Sequence, residues 1–138
     1  MIRLTRHYEF AAAHLLIHPD LSDAENRRIY GKCANPNGHG HDYGVDVTVS
    51  GPVHPESGRI VDLEALDAIV EDEVLSRFAR RTLNDDEAFR RLVPTAENIA
   101  RVIYEKLAPA IAERSSAELV RVDVRETGKN TFAYGAIQ

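Results

Sequence analysis

Residues 2–14 read IRLTRHYEFAAAH, and Ile2, Leu4, Tyr8, Phe10 and Ala12 share one parity. An extended chain points alternate side chains to opposite faces, so this period predicts a long strand with one buried face. YGVDVTVSG (43–51) repeats the pattern, with Val45, Val47 and Val49 inward and Asp46, Thr48 and Ser50 outward. ELVRVDVRE (118–126) predicts a third strand, and TFAYGAI (131–137) a fourth that closes the chain.

Between the two pairs the period changes. Asp62 can cap a helix that carries Leu63, Leu66, Ile69, Val70, Val74 and Phe78 on one stripe. Pro94-Thr95 opens another, striped by Ile99, Val102, Ile103 and Leu107, and Pro109 is expected to kink or end it. SDAENRRIY (22–30) can form a short helix capped by Ser22 or Asp23. The order ββ–α–α–ββ predicts an α+β fold: a four-stranded antiparallel sheet with two helices on one face. Such a sheet has open edges, and pairing them between subunits would remove them. With no repeat or linker, the 138 residues fit one domain, 1–138.

The apolar fraction of 43% and charged fraction of 28% are those of an ordinary soluble chain. A net charge of −5 argues against a general nucleic-acid binder. MIRLTRHYEF has no apolar signal core and no run reaches membrane-span length, which predicts a cytoplasmic protein with no membrane partner. The single cysteine cannot form an internal disulfide. Cys33 is therefore a buried small residue or a chemical one. Its neighbours Lys32, Asn35, Pro36, Asn37 and Gly38 predict a polar loop.

CANPNGHGHDY (33–43) carries the chemistry. His39 and His41 are two apart, so on an extended backbone both rings share a face, and Gly40 leaves room for a ligand. A catalytic zinc commonly takes three protein ligands and leaves one position open. His14, at the end of the apolar strand beside small Ala11 to Ala13, is the best third candidate. His7, His18 and His54 are weaker, the last two adjoining Pro19 and Pro55. A structural zinc finger lacks its second cysteine. Cys33 could be a fourth ligand or an acid/base beside the metal, and spacing leaves both open. Glu126 shares the parity of Val120, Val122 and Val124, which puts a carboxylate at the end of an apolar face where a heterocyclic N–H pair could meet it.

FAAAHLL, LSDAENRRIYGKCANPNGHGHDYGVDVTVSG, GRIVDLEAL, PTAENIA and VRVDVRET, in that order, resemble the 6-pyruvoyl-tetrahydropterin synthase family, which includes the bacterial 6-carboxytetrahydropterin synthases of the queuosine pathway. The C-x₅-HGH spacing looks like the biopterin-type synthases. The resemblance implies a tunnelling fold that assembles through strand edges into trimers and then hexamers. It implies zinc on His14, His39 and His41, with Cys33 as a proton-transfer residue. It also implies Glu126 as anchor of the pterin, helped by Thr95 and Glu97. The implied reaction is lyase chemistry on 7,8-dihydroneopterin triphosphate, giving 6-pyruvoyl- or 6-carboxytetrahydropterin. One stretch departs: Phe78, Ala79 and Arg80 stand where the family usually has Leu, Asp and His. Arg80 stays protonated and cannot act as a general base, so the Cys–Asp–His relay is incomplete. A slowed synthase, side-chain retro-aldol cleavage, or pterin binding with little turnover all remain open.

Overall fold

Two strands, β1 (Ile2–His14) and β2 (His39–Gly51), pair antiparallel along their whole lengths, from Ile2 opposite Gly51 to His14 opposite His39. This computed structural model describes residues 1–35 and 38–136. Pro36 and Asn37 of the expected polar loop, and Ile137 of the expected last strand, lie outside the described residues.

Helix α1 (Asp23–Tyr30) follows β1 and begins as expected, with Ser22 as cap: its hydroxyl accepts from the Glu25 amide at 3.2 Å. Helix α2 (Leu63–Val70) starts at Asp62, whose carboxylate accepts from the Glu64 amide. The chain then passes through a π-helical turn (Glu71–Leu75) and a last α-helical turn, α3 (Ser76–Phe78). Four-residue steps such as Leu66–Val70–Val74–Phe78 drift about 40° each round an ideal α-helix. The wider π turn takes back part of that drift, and all four side chains are buried.

Helix α4 (Ala96–Arg114) does not end at Pro109: it continues for five residues beyond it. Pro109 and Glu105 are both exposed, so water can serve the Glu105 carbonyl that loses its amide partner. Leu107, Ala110 and Ile111 stay in the core on either side of it.

Strands β3 (Glu118–Thr127) and β4 (Asn130–Gly135) complete the antiparallel sheet in the order β1-β2-β3-β4. Val45, Val47, Val49, Val122 and Val124 face α2 and α4, and the core lies between these layers. The opposite face is polar: Thr5 bonds Thr48, and Asp46 accepts from both His7 and Arg125. Among the described residues, no helix is long and apolar enough to cross a membrane.

The outer edge of β1 is covered at one end. The Arg80 amide donates to the Ala11 carbonyl at 2.6 Å and the Ala13 amide to the Arg81 carbonyl at 2.9 Å, with Thr82 bridged parallel to Ala13. Arg80 makes this turn at φ 62, a left-handed conformation that costs an L-residue roughly 1–2 kcal/mol.

Candidate functional site

β2 begins at His39, four residues before its apolar alternation becomes legible. That extension places His39 opposite His14 and His41 opposite Ala12 in the ladder. All three histidines therefore point to the helix-covered face, at one end of the sheet. Their ring centroids form a near-equilateral triangle of 4.6, 4.9 and 4.8 Å, with every pair of rings close to perpendicular.

The triangle is built to present nitrogen inward. His14 is fully buried, and its Nδ1 lies 2.8 Å from the Pro94 carbonyl. A carbonyl can only accept, so Nδ1 carries the proton and Nε2 is left as a lone-pair donor. The Tyr43 hydroxyl lies 3.2 Å from the same Nδ1 as a second acceptor. Burial pushes the His14 pKa below its ordinary value, and the neutral ring is the ligating form. Burial, and then the charge of Glu126, raise the Tyr43 pKa, so its hydroxyl keeps its proton. A ligating imidazole fixed through its other nitrogen in this way is a recurrent feature of metal sites.

The inward nitrogens have too few partners. His14 Nε2 and His39 Nε2 are 3.0 Å apart. His41 Nε2 is buried and bonded to nothing, while Glu126 Oε1 stands off at 3.7 Å. An orphaned buried nitrogen costs desolvation with no return. A cation among the three nitrogens removes that cost, and these three residues could hold a metal ion. Three imidazoles suit zinc, copper, iron or nickel.

The remaining candidates are arranged around the triangle. Cys33 is half-buried in a 3₁₀ turn (Gly31–Ala34), and its carbonyl accepts from the Leu16 amide at 3.1 Å, two residues beyond His14. Gly38 (φ 66) brings the same loop back against His14, where a Cβ would stand 3.2 Å from the His14 oxygen. The Cys33 loop thus borders the triangle, although Cys33 is not one of the three residues grouped as able to hold the ion. Glu126, as its parity predicts, points to the His41 side. Thr95 caps α4, its hydroxyl accepting from the Asn98 amide at 3.3 Å, and Glu97 is exposed in the first turn of that helix. The weaker histidines lie apart: His7 bonds Asp46 on the polar face, His18 Nδ1 accepts from the Asp20 amide, and His54 bonds Ser116.

Two supporting groups escape the sequence reading. Tyr43 could have been found, because it continues the His39–His41 parity. The Pro94 carbonyl leaves no residue-type signal. Open cavities flank the site, one of about 410 Å³ beside Ala12, Gly40, His41 and Arg80, another of about 460 Å³ beside His41, Arg125 and Glu126.

Residues 3–136 match the family model for 6-pyruvoyl tetrahydropterin synthase. The chain is 41% identical to a putative 6-pyruvoyl tetrahydrobiopterin synthase of Caenorhabditis elegans over 135 residues, covering 97% of this chain and 94% of that one. It is 31% identical to a 6-carboxy-5,6,7,8-tetrahydropterin synthase of Bacillus subtilis over 113 residues, 78% of this chain and 73% of the relative. A solved structure of Caenorhabditis elegans 6-pyruvoyl tetrahydropterin synthase superposes with a TM-score of 0.88 at 39% identity, covering 98% of this chain and 95% of the other. That likeness identifies the fold as the tunnelling fold.

Proposed function

The chain belongs to the 6-pyruvoyl tetrahydropterin synthase family, and from that premise we propose a zinc-dependent lyase acting on 7,8-dihydroneopterin triphosphate or a close relative. The observation that carries the proposal is the triangle of inward imidazoles, with His41 Nε2 buried and without a hydrogen bond. In this reading 1–138 acts as one synthase domain in the cytoplasm, assembled as a hexamer through the edges of β1 and β4; a monodisperse monomer in light scattering would overturn that assembly.

His14, His39 and His41 hold the ion. When bound, zinc supplies Lewis acidity, lowering the pKa of an oxygen group of the substrate. Glu126 accepts hydrogen bonds from the N–H edge of the pterin, and Thr95 and Glu97 line the same end of the sheet at the start of α4. Cys33, on the loop that borders His14, takes and returns a proton. Ala79 has no titratable group and Arg80 holds its charge, so no second proton carrier stands in that stretch.

This gap favours a second reading: side-chain retro-aldol cleavage, which needs fewer proton transfers, or pterin binding with little turnover. Mass spectrometry of the products from dihydroneopterin triphosphate and zinc-loaded protein separates them. Formation of 6-pyruvoyl- or 6-carboxytetrahydropterin supports the synthase. Dihydropterin with a released aldehyde supports cleavage, and unchanged substrate supports a binding protein.

A further inference from the structure

β1 ends at His14, yet its outer edge stays occupied for one residue more. The Asn84 side chain meets both backbone groups of Leu15: Oδ1 accepts from the Leu15 amide at 2.8 Å, and Nδ2 donates to the Leu15 carbonyl at 2.9 Å. A primary amide carries an acceptor and donors together, so it does here what the next peptide group of a paired strand would do. Its orientation is fixed by its partners, since the Leu15 N–H only donates and the Leu15 C=O only accepts. Asn84 itself sits in a 3₁₀ turn (Leu83–Asp85) anchored in the core by buried Leu83.

The Leu15 carbonyl belongs to the same peptide group as the Leu16 N–H, and that N–H donates to the Cys33 carbonyl at 3.1 Å. Asn84, the Leu15–Leu16 peptide and Cys33 therefore form one chain of hydrogen bonds that runs head to tail. The peptide in the middle is planar and passes a fixed orientation from one side to the other. Bonds in such a series also polarise and strengthen one another. The Cys33 turn (Gly31–Ala34) contributes no buried residue to the core, so its placement depends on backbone bonds of this kind. His14 is anchored separately, through Nδ1 to Pro94 and Tyr43.

We infer that Asn84 is a positioning residue for Cys33: through the Leu15–Leu16 peptide it sets where the thiol stands relative to the histidine triangle. The inference deepens the synthase proposal and rests on Cys33 as its proton-transfer residue.

Asn84→Asp in the full-length, zinc-loaded protein tests it with the least disturbance. The carboxylate keeps the bond from the Leu15 amide but has no proton for the Leu15 carbonyl. Exchange of the Leu16 amide hydrogen, read by NMR, is expected to quicken by about 10-fold, the scale of one lost hydrogen bond. Leu16 lies beyond the end of β1, where exchange follows local opening. Alkylation by iodoacetamide should quicken with it, and Cys33 is the only cysteine, so the label reports on that turn. Zinc should stay at about one per chain, because His14 keeps Pro94 and Tyr43. Asn84→Ala loses both bonds and should move both readings further. Asp67→Asn loosens the fold away from this chain and should move neither. In tetrahydropterin formation, kcat should fall in Asn84→Asp while KM stays near the wild-type value. Either Leu16 exchange or Cys33 alkylation unchanged in both Asn84 variants, or equally changed in Asp67→Asn, overturns the inference. Faster exchange and alkylation with kcat unchanged overturns the proton-transfer role of Cys33 and leaves its positioning by Asn84 standing. Neither reading involves turnover, so the same gains in a protein whose wild type makes no tetrahydropterin overturn the synthase proposal alone.

Discussion

His14 and His39 face each other across the β1–β2 ladder with their Nε2 atoms 3.0 Å apart. The His14 proton sits on Nδ1 against Pro94, so the pair shares at most one hydrogen between two inward nitrogens. The third nitrogen, on His41, has no hydrogen-bond partner, and its nearest charge is Glu126 at 3.7 Å. Purified protein should therefore carry about one zinc per chain, in line with a three-histidine site. His39→Ala should lose the metal and Cys33→Ala should keep it, measured by elemental analysis. Metal loss in the cysteine variant would make Cys33 a ligand and remove it from proton transfer.

Tyr43 offers a finer test of how the triangle is held. Its hydroxyl is the second acceptor on His14 Nδ1, after Pro94. Tyr43→Phe keeps the packing and deletes that contact. Loss of such a supporting bond typically costs about 10–100-fold in metal affinity. Because Pro94 remains, the expected loss is near the lower figure, read by competition with a chromogenic chelator. Unchanged affinity would mean that Pro94 alone orients the ring.

Restoring the missing proton carrier should raise turnover. Ala79→Asp with Arg80→His is expected to increase kcat for tetrahydropterin formation on the order of 10²-fold, the scale of one general acid/base. The backbone should accept the change, since histidine is among the residues enriched at positive φ. Arg80→His alone should help less, lacking an orienting carboxylate, and Cys33→Ala in the double variant should abolish the gain. A wild-type rate already equal to that of a complete Cys–Asp–His synthase would sink the argument and point to His54 or His18 as the substitute carrier.

Away from the site, Asp67 ties α2 to β1. It accepts from Arg6 at 2.7 and 2.8 Å and from the Tyr8 hydroxyl at 2.7 Å. The Arg6 hydrogen bonds, opposed by burial and aided by Tyr8, hold the Asp67 carboxyl below its ordinary pKa. A depressed carboxyl stabilises the fold above the unfolded pKa of about 3.9, and the contribution disappears as pH falls through the folded value. The two side chains are 38% and 41% exposed, so water screens much of the pairing. Asp67→Asn should lower Tm by roughly 2–4 °C at neutral pH, with the difference shrinking below about pH 3.9. A Tm difference independent of pH would show that packing, not charge, is lost.

The sheet and the two helices were legible because each rests on a period, and His14 because it ends an apolar strand beside small Ala11 to Ala13. Glu126 followed from the parity of Val120 to Val124, and His39 with His41 from their spacing of two. Features that depend on contacts between distant segments were not legible. The start of β2 at His39 is set by its pairing with residues 12–14 of β1, which a polar HGH stretch does not advertise. Pro109 looked like a helix end, since nothing local says that its missing bond faces water. The Arg80 turn left no trace either, because its left-handed residue is an arginine where a glycine would have signalled it.

The Arg80–Thr82 staple has one more effect, on how copies of this chain can be added to one another. By occupying the Ala11 carbonyl and the Ala13 amide, it shortens the usable edge of β1 to the stretch around Leu4 to Glu9. An incoming strand that slides toward His14 runs into the staple. A slip of one residue would also turn every side chain to the wrong face. The turn is thus a molecular end-stop: any strand added to this edge would have to halt where the staple begins.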